Sequence, residues 1–390
     1  MRICLIYDCL FPHTVGGAER WLRDLAERLA TDGHEVTYLT LRQWDEGVAP
    51  SVPGVRVIPV GPRLSLYTKS GRRRVLPPLV FGAGVLVHLL RHGRRYDTVH
   101  TVSFPYFSLL AAAAARRFGG YGLVVDWFEV WTLGYWREYL GQLGGVGWAV
   151  QRLCARIPQR AFCFSELHAS RLRGEGLRGT ISVHRGLYVG PTTPRPASTH
   201  QPVVVFAGRF IPEKRVEALV RAVALARRSR PELGAVLYGD GPERNRVRQV
   251  VDACGLRKSV LLPGFVEDEE VQAGMASALC LGLCSSREGY GLVIVEAASY
   301  GTPAVVAAAA DNAAVELIEE GINGFVAASA SPDDLAQAIL AVSEAGEALR
   351  ESTARWFAEH ASGLSLDESL AMVLRAYQRR GDEPSVAARS

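Results

Sequence analysis

Four absences in the 390-residue sequence exclude whole classes of protein. No apolar run reaches the length of about 18 residues that could cross a bilayer, and no repeat recurs at a fixed short period. The seven cysteines are odd in number and scattered, so they predict neither a disulfide framework nor a metal site. The sequence also opens without the regions that make up a secretory leader. We therefore expect a reducing, cytoplasmic compartment.

The composition is that of a globular protein, with 48% hydrophobic and 22% charged residues. A chain of this length predicts about two domains, which need no disulfide or metal for stability. Lysine is scarce, because nearly all the positive charge is arginine. The three lysines are Lys69, Lys214 and Lys258.

Charge is divided unevenly along the chain. Residues 1–190 carry 24 Arg and Lys against 14 Asp and Glu, whereas the remainder carries 20 against 26. The change of sign supports a domain boundary between the two halves. A basic first half is typical of a protein with an anionic or membrane-surface partner, although an uneven spread of arginine explains it equally well.

Short apolar runs alternate with segments of helical period, which predicts parallel sheets of the doubly wound α/β class. Predicted strands are residues 2–7, 35–41, 55–60, 98–102, 123–126, 161–164, 181–184, 203–207, 235–238, 260–262, 278–283 and 304–306. Predicted helices are residues 18–31, 215–228, 243–254, 292–300 and 332–380.

A stretch rich in proline, threonine and serine interrupts this alternation and predicts an interdomain linker at residues 191–201. A first doubly wound domain is then predicted at residues 1–190 and a second at 202–365. The remaining residues, 366–390, are predicted to form a helix that packs back toward the first domain. Two such domains would create a cleft at the carboxyl ends of their strands.

The apolar segment Val75–Leu90 lies between two groups of arginines. These are Arg72, Arg73 and Arg74 before it and Arg91, Arg94 and Arg95 after it. Its 16 residues are too few for a comfortable membrane span. The pattern predicts a core helix with solvated ends or, as the alternative, a surface helix that touches anionic lipid.

A cluster of cations follows the strand at residues 203–207. Gly208 permits a sharp turn, Arg209 offers a planar set of donors, and Lys214 precedes the next helix. Two cations at the start of a helix can hold a diphosphate. Taken alone, the segment is also explained as surface charge beside a turn.

Two further glycine-containing loops follow later strands. Gly239 lies in Tyr-Gly-Asp-Gly-Pro, which by itself is ordinary turn chemistry. Gly289 and Gly291 would let the backbone approach a ligand closely. Glu288 in this loop and Glu296 in the next helix can accept hydrogen bonds from hydroxyls at opposite ends of an extended ligand, such as a sugar and a ribose joined by a diphosphate.

Together these motifs resemble the retaining GT-B glycosyltransferases of glycosyltransferase family 4. The resemblance rests on Glu-Gly-Tyr-Gly-Leu-Val-Ile-Val-Glu-Ala (288–297), Gly-Arg-Phe-Ile-Pro-Glu-Lys (208–214) and Gly-Asp-Gly-Pro (239–242). It covers nearly the whole chain and is strongest over residues 203–326. It implies a GT-B fold, in which two Rossmann-like domains face each other across a cleft.

The resemblance also implies roles for individual residues. Arg209 and Lys214 would hold the donor diphosphate and stabilise the leaving nucleotide without a metal, Glu288 would contact the sugar hydroxyls, and Glu296 would bind the ribose. The remaining residues implied in donor binding are Gly16, Gly17, Gly208, Gly239, Gly289, Tyr290, Gly291 and Leu292.

The sequence departs from the family pattern in three places. The usual histidine after a central strand of the first domain is absent, and either Asp126 or Glu129 would replace its contact with the sugar. His184-Arg185-Gly186 stands where the family usually has Asn-Gly before the linker, and Asp311-Asn312 replaces a common Gly-Gly. The aromatic run from Trp127 to Tyr139 would line an acceptor site or form a core stripe.

The sequence thus predicts a retaining, metal-independent transfer of a hexose-type sugar from a nucleoside diphosphate sugar to an acceptor hydroxyl. No cofactor and no nucleic-acid partner are expected. The acceptor would be a small molecule, a saccharide or a lipid-linked saccharide, with the protein cytoplasmic or peripheral at the inner face of the membrane. The alternatives are a non-catalytic nucleotide-sugar binding protein and a nucleotide-sugar epimerase of the same architecture.

Overall fold

The computed structural model describes residues 1–378 apart from 15, 46, 48, 49, 69–72 and 196–199. The chain folds as two compact units. Of the described residues, the first contains those up to 184 together with 367–378, and the second contains those of 185–366.

In its described residues, the first unit contains a seven-stranded sheet in which neighbouring strands are parallel. Its strands are β1 (Arg2–Ile6), β2 (Glu35–Thr40), β3 (Val55–Pro59), β4 (Thr98–Val102), β5 (Gly122–Trp127), β6 (Gln159–Cys163) and β7 (Gly179–Val183). The order β3-β2-β1-β4-β5-β6-β7 makes β1 the strand from which the sheet grows in both directions. Four of the five β1 residues are buried, as expected for a central parallel strand.

Helices cover this sheet and bury their apolar stripes. They are α1 (Gly17–Thr31), α2 (Leu76–His92), α3 (Phe107–Gly119), α4 (Leu133–Leu140), α5 (Gly144–Ala155) and α6 (Glu166–Gly174). In α1 the buried residues include Trp21, Leu22, Leu25 and Leu29, which recur at helical spacing. Thr132 caps α4 through a hydrogen bond to its side-chain oxygen.

The second unit repeats the arrangement around a six-stranded parallel sheet, counted over the described part of the chain. The strands of the unit are β8 (Val203–Ala207), β9 (Gly234–Tyr238), β10 (Val260–Gly264), β11 (Cys280–Leu283), β12 (Arg287–Glu288), β13 (Ala304–Ala307), β14 (Asp311–Asn312) and β15 (Gly324–Ala327). The order of the main sheet is β10-β9-β8-β11-β13-β15, and β12 pairs separately with β14.

The core of the second unit lies between this sheet and its helices, with Phe206, Leu219, Leu237, Val247 and Ile339 all fully buried. The helices of the rest of the chain are α7 (Val216–Ala226), α8 (Arg244–Ala253), α9 (Asp268–Ser277), α10 (Leu292–Ala298), α11 (Pro332–Leu364) and α12 (Leu366–Gln378).

The predicted class, two doubly wound parallel sheets, is confirmed. Each predicted strand lies within two residues of an observed one, whereas β12, β14 and β15 were not predicted. The compact units meet in sequence between residues 184 and 185. Part of the predicted linker (196–199) and the end of the predicted C-terminal helix (379–390) lie outside the described residues.

Helix α2 corresponds to the apolar segment singled out in the sequence. Phe81, Val85 and Leu89 are buried, so one side of the helix belongs to the core. Leu76 and Leu90 are exposed, so another side does not. Among the described residues, no helix is both long and apolar enough to cross a membrane.

Candidate functional site

The predicted donor residues of the second unit follow strands at the point where its sheet changes direction. β8 lies between β9 and β11, and ligands of open α/β sheets bind beyond the carboxyl ends of strands at such a point. Backbone hydrogen bonds connect the loops after these strands. Phe210 N donates to Asp240 O (2.9 Å), and Ser286 N donates to Glu213 O (2.8 Å). Three loops are thereby fixed together.

Lys214 and Glu288 form the centre of this arrangement. The Lys214 Nζ atom is ion-paired with Glu288 Oε1, although 74 residues separate the two in sequence. Ser285 Oγ donates a hydrogen bond to the same carboxylate oxygen at 2.7 Å. The two charged side chains keep 22% and 13% of their exposure, so the pair is largely shielded but still reached by solvent. The structure thus brings together Lys214 and Glu288, two of the three residues predicted from the sequence to be catalytic; the third is Arg209.

Gly239 allows two of the loops to approach closely. Its φ is +116°, and a Cβ atom built on it would lie 2.0 Å from the Gly208 carbonyl oxygen. Gly291 has φ +101°, and its Cβ would lie 2.7 Å from Ala314 Cβ. Only glycine fits either position without displacing its neighbours.

The departure from the family pattern at Asp311-Asn312 has a structural role. Asn312 is buried in β14, and its Nδ2 donates to Ala307 O (2.8 Å) and Ser285 O (3.2 Å). Its Oδ1 accepts from Ala314 N at 3.0 Å. One side chain therefore connects the loop after β13 to the loop that presents Glu288.

The remaining predicted donor residues of the second unit lie on the same loops and on α10. Arg209 is exposed, Glu296 is half-buried within α10, and Leu292 begins that helix. Tyr290 is buried and its hydroxyl donates to the Arg185 carbonyl, while burial raises the pKa of the phenol. A neutral Tyr290 at all ordinary pH values is suited to holding the loop.

Gly16 and Gly17 lie in the first unit. Gly16 is the residue immediately before α1, with an extended backbone, and Gly17 is the first residue of the helix. A Cβ on Gly16 would lie 2.4 Å from Glu19 Oε2, whereas Gly17 has no atom of the described chain within 4 Å of such a position.

The structure does not leave Asp126 available for a sugar. Its side chain is fully buried, Trp21 Nε1 donates to Oδ2 at 2.7 Å, and His100 Nε2 lies 2.8 Å from Oδ1. His100 Nδ1 in turn lies 2.6 Å from the Tyr377 hydroxyl. Asp126 is thus part of a buried polar network, which corrects the prediction for this residue.

Glu129, the other predicted sugar contact, is in a half-buried position on the loop after β5. Its Oε2 accepts a hydrogen bond from Trp131 Nε1 at 2.6 Å. Of the two alternatives, the carboxylate of Glu129 is the one at a partly open surface.

The aromatic run divides into a core part and a partly exposed part. Trp127 and Trp136 are buried, whereas Trp131, Tyr135 and Tyr139 are partly exposed. The ring centroids of Tyr135 and Tyr139 lie 4.8 and 5.1 Å from that of Trp131. The core interpretation therefore holds for Trp127 and Trp136, and the acceptor-site interpretation stays a prediction for the partly exposed rings.

The buried side chain of Gln151 connects the residues of this aromatic cluster through hydrogen bonds. It is fully buried, and its Oε1 accepts hydrogen bonds from Tyr106 Oη, Trp131 N and Trp136 Nε1 at 3.0 to 3.2 Å. Its Nε2 donates to the Trp131 carbonyl at 2.8 Å.

Sequence reasoning missed a buried ion pair in the first unit. Asp8 lies two residues after the end of β1 and is ion-paired with Arg73, whose guanidinium lies over the rings of Phe104 (5.5 Å) and Tyr67 (5.9 Å). The position of Asp8 at the carboxyl end of the central strand was the available signal. Since Phe104 contacts Trp131 (5.0 Å), the pair adjoins the exposed aromatic cluster.

Within the part of the chain that the structure describes, no group of three or more His, Cys, Asp or Glu side chains is placed to hold a metal ion. Cys280 and Cys284 are buried and unpaired, and burial raises the pKa of both thiols. They are core residues of the second unit.

Two family models match the chain, one in each half. The glycosyl transferase 4-like domain matches residues 16–184, and glycosyl transferases group 1 matches residues 194–356. The two matches together span most of the chain and follow the division into two units.

Curated relatives include the alpha-D-kanosaminyltransferase of Streptomyces kanamyceticus, 34% identical over 36% of this chain and 36% of its own length. Another is the D-inositol 3-phosphate glycosyltransferase of Actinosynnema mirum, 32% identical over 46% of this chain and 45% of its own length. The chain thus spans less than half the length of each of these relatives.

Solved structures match over nearly the whole chain. HepE from Anabaena in complex with UDP has a TM-score of 0.74 at 20% identity and covers 96% of this chain and 99% of its own. A sucrose-phosphate synthase from Thermosynechococcus elongatus has a TM-score of 0.76 at 19% identity, covering 97% and 98%. The fold is therefore GT-B, and the chain belongs to the glycosyltransferase family formed by the glycosyl transferase 4-like and group 1 domains.

Proposed function

We propose that the protein transfers a hexose-type sugar from a nucleoside diphosphate sugar to an acceptor hydroxyl, with retention of anomeric configuration. The observation that carries this proposal is the group formed by Lys214, Glu288 and Ser285 beyond the carboxyl ends of β8 and β11. It combines a cation suited to phosphate with a carboxylate suited to sugar hydroxyls.

The ion pair suggests how the donor would be received. A donor diphosphate is a stronger attraction for Lys214 Nζ than one carboxylate, so its arrival would draw the ammonium away from Glu288. The carboxylate would then accept hydrogen bonds from the sugar hydroxyls. Because Lys214 and Glu288 each exchange one partner for another, neither charge is left unpaired in its partly buried position. The free-energy cost of binding the donor therefore stays low.

The chemical step needs stabilisation of the leaving group. The bond between the anomeric carbon and the diphosphate oxygen breaks, and the acceptor oxygen forms its bond to that carbon from the same face. The acceptor proton passes to the departing diphosphate. Negative charge develops on the diphosphate as positive charge develops on the sugar, and Lys214 and Arg209 would stabilise the former without a metal ion.

The first unit would bind the acceptor. Partly exposed rings are present at Trp131, Tyr135 and Tyr139, and the apolar face of a sugar or a flat apolar group can stack on them. Glu129 supplies a carboxylate beside them. This chemistry fits a saccharide or a lipid-linked saccharide as well as a small-molecule acceptor. We place the reaction in the cytoplasm, where nucleotide sugars would be available, or at the inner face of the membrane.

The test is binding and slow hydrolysis across UDP-, GDP-, ADP- and dTDP-sugars. UDP-glucose belongs in the panel because HepE, a neighbour in fold, is known in complex with it. Lys214→Ala should lower donor turnover by roughly 100-fold or more, because a cation is lost where charge develops. Glu288→Gln should weaken selection among the sugars of one nucleotide.

Lys258 provides the matched control, since it is an exposed lysine of the same unit. Lys258→Ala should leave both donor affinity and turnover unchanged. Wild-type rates in Lys214→Ala would overturn the proposal. Donor binding without any turnover would favour a binding protein, and release of an epimerised nucleotide sugar would favour an epimerase.

A further inference from the structure

Helix α2 presents an apolar stripe to solvent. Leu76, Leu79, Val87 and Leu90 are between 43% and 62% exposed, and Ala83 between them is exposed as well. Their spacing of three or four residues places all five on one side of the helix. Because α2 buries Phe81, Val85 and Leu89 on its other side, the exposed stripe is not needed to hold the helix in the first unit.

Helix α3 extends this surface sideways. A shallow apolar groove runs between the two helices and is lined by Leu79, Leu86, Leu110 and Ala114, among others. Phe118, near the end of α3, is 60% exposed. The apolar area is therefore two helices wide, larger than the single exposed leucines that ordinary surfaces carry.

The segment of chain that carries this surface is strongly basic in sequence. Between residues 47 and 125 the chain has 11 Arg and Lys, and Asp97 is its one acidic residue. Exposed arginines stand at both ends of α2 and at the end of α3, namely Arg74, Arg91, Arg94, Arg95 and Arg117. The apolar stripe thus has basic residues at its borders.

We propose that the α2–α3 surface docks on an anionic lipid bilayer, with the apolar stripe at the level of the acyl chains and the arginines among the headgroups. The pairing of an apolar stripe with cationic borders matches the interface of such a membrane. A second copy of the chain fits less well, because it would bring arginines against arginines. Nucleic acid would contact the arginines but leave the stripe in water.

The docking is peripheral. A helix of 17 residues is roughly 26 Å long, and its arginine-bearing ends would have to enter the hydrocarbon if it stood upright. Lying flat, the helix keeps its buried side on the first unit and offers only the stripe to the lipid. This inference is independent of the donor chemistry, since the surface shares no residue with the proposed donor site.

Co-sedimentation of the full chain with vesicles tests the proposal. We expect binding to phosphatidylcholine vesicles that contain phosphatidylglycerol, weaker binding to phosphatidylcholine alone, and loss of binding as salt is raised. Arg91→Glu combined with Arg95→Glu should weaken binding roughly tenfold or more, because each surface arginine near such a membrane strengthens binding about fivefold.

Leu79→Glu combined with Val87→Glu should abolish binding by placing carboxylates in the stripe. Leu261→Glu is the matched control, because Leu261 is likewise exposed, at 58%, but lies in the second unit. The Leu261→Glu protein should bind vesicles as the wild type does. An unchanged melting curve for each variant shows that the fold is retained. Failure of the wild type to sediment at low salt would overturn the proposal. So would a dimer in solution that the same two glutamates abolish.

Discussion

His184 is a buried histidine whose ring is packed among aromatic side chains. Its ring lies against Phe162 (4.1 Å between centroids), Trp21 and Phe164 (both 5.9 Å). Neither ring nitrogen has a hydrogen-bond partner within the described residues. Burial lowers the pKa of His184 to about 4, so the ring is neutral near pH 7.

This residue should make the stability of the first unit depend on pH. The unfolded chain binds a proton to His184 below its ordinary pKa of 6.5, whereas the folded unit binds it only near pH 4. The stability that the neutral His184 ring contributes is therefore fully present above pH 6.5 and is lost as the pH drops toward 4, by about 3 kcal/mol in all. Replacing the ring by His184→Phe should flatten that fall in urea unfolding followed from pH 7 to 4.

His360 serves as the control, since it is an exposed histidine of the second unit. His360→Gln should keep the wild-type dependence on pH. If His184→Phe loses stability on acidification as steeply as the wild type, the neutral state of the buried ring is not what sets the dependence.

Asp126 shows why the role of a single residue could not be predicted from the sequence. The sequence places a carboxylate at the end of a strand, which is where site residues gather. What decides its role is the approach of Trp21, 105 residues away, and of His100 on the neighbouring strand. Such pairings depend on the packing of whole elements, which a single sequence does not reveal. Lys214 and Glu288 were found because both lie in motifs.

At the scale of elements, the loops after β8 and β9 hold each other through Gly239. Gly239→Ala would combine an unfavourable φ of +116° with a contact of 2.0 Å to the Gly208 carbonyl. We expect a loss of roughly 3 kcal/mol or more in unfolding free energy. Displacement of Gly208 and the adjacent Arg209 should also weaken donor binding, measurable by titration calorimetry.

Gly255 is the control, because an added Cβ would strain its backbone without colliding with another described atom. Its φ is +70°, and a Cβ there would meet no atom of the described chain within 4 Å. Gly255→Ala should cost only about 1 kcal/mol and leave donor affinity unchanged. Equal effects of the two substitutions would show that backbone conformation matters and the close approach of the loops does not.

Strands could be predicted from the sequence where a long apolar run is bounded by turn residues. β4 and β8 agree with the sequence to the residue, because turn residues bound runs of β-branched side chains. The two-residue strands β12 and β14 have no such pattern. Their pairing arises from Asn312, whose amide holds the backbone of two loops.

On the scale of the whole molecule, the first unit consists of two pieces of chain. Residues 367–378 return to it after the second unit is complete. In α12, Tyr377 lies 2.6 Å from His100 Nδ1, the Ala376 carbonyl accepts from Arg160, and Asp367 pairs with Arg28. Tyr377 is 3% exposed and so acts as a core residue of this unit.

Removing the Tyr377 ring should therefore destabilise the first unit. We expect Tyr377→Ala to cost about 3 to 5 kcal/mol, from the cavity and the unpaired His100. Tyr377→Phe should cost about 1 to 2 kcal/mol, since only the hydroxyl is lost. Calorimetry would show the change in the transition of the first unit while that of the second stays in place.

Arg375→Ala is the control on the same helix, because Arg375 is exposed. Its expected effect is within about 0.5 kcal/mol. A Tyr377→Ala protein as stable as Arg375→Ala would mean that α12 contributes nothing to the first unit.

The return of α12 has a consequence for how the protein is made. On the ribosome the strands of the first unit emerge before the second unit, whereas Tyr377, the partner of His100, emerges after it. The second unit, formed by continuous chain over residues 185–366, can finish folding while the first still waits for its closing helix. Of the two units, the one whose strands are translated first is then the one that matures second, and in that interval its unfinished core is open to chaperones and proteases.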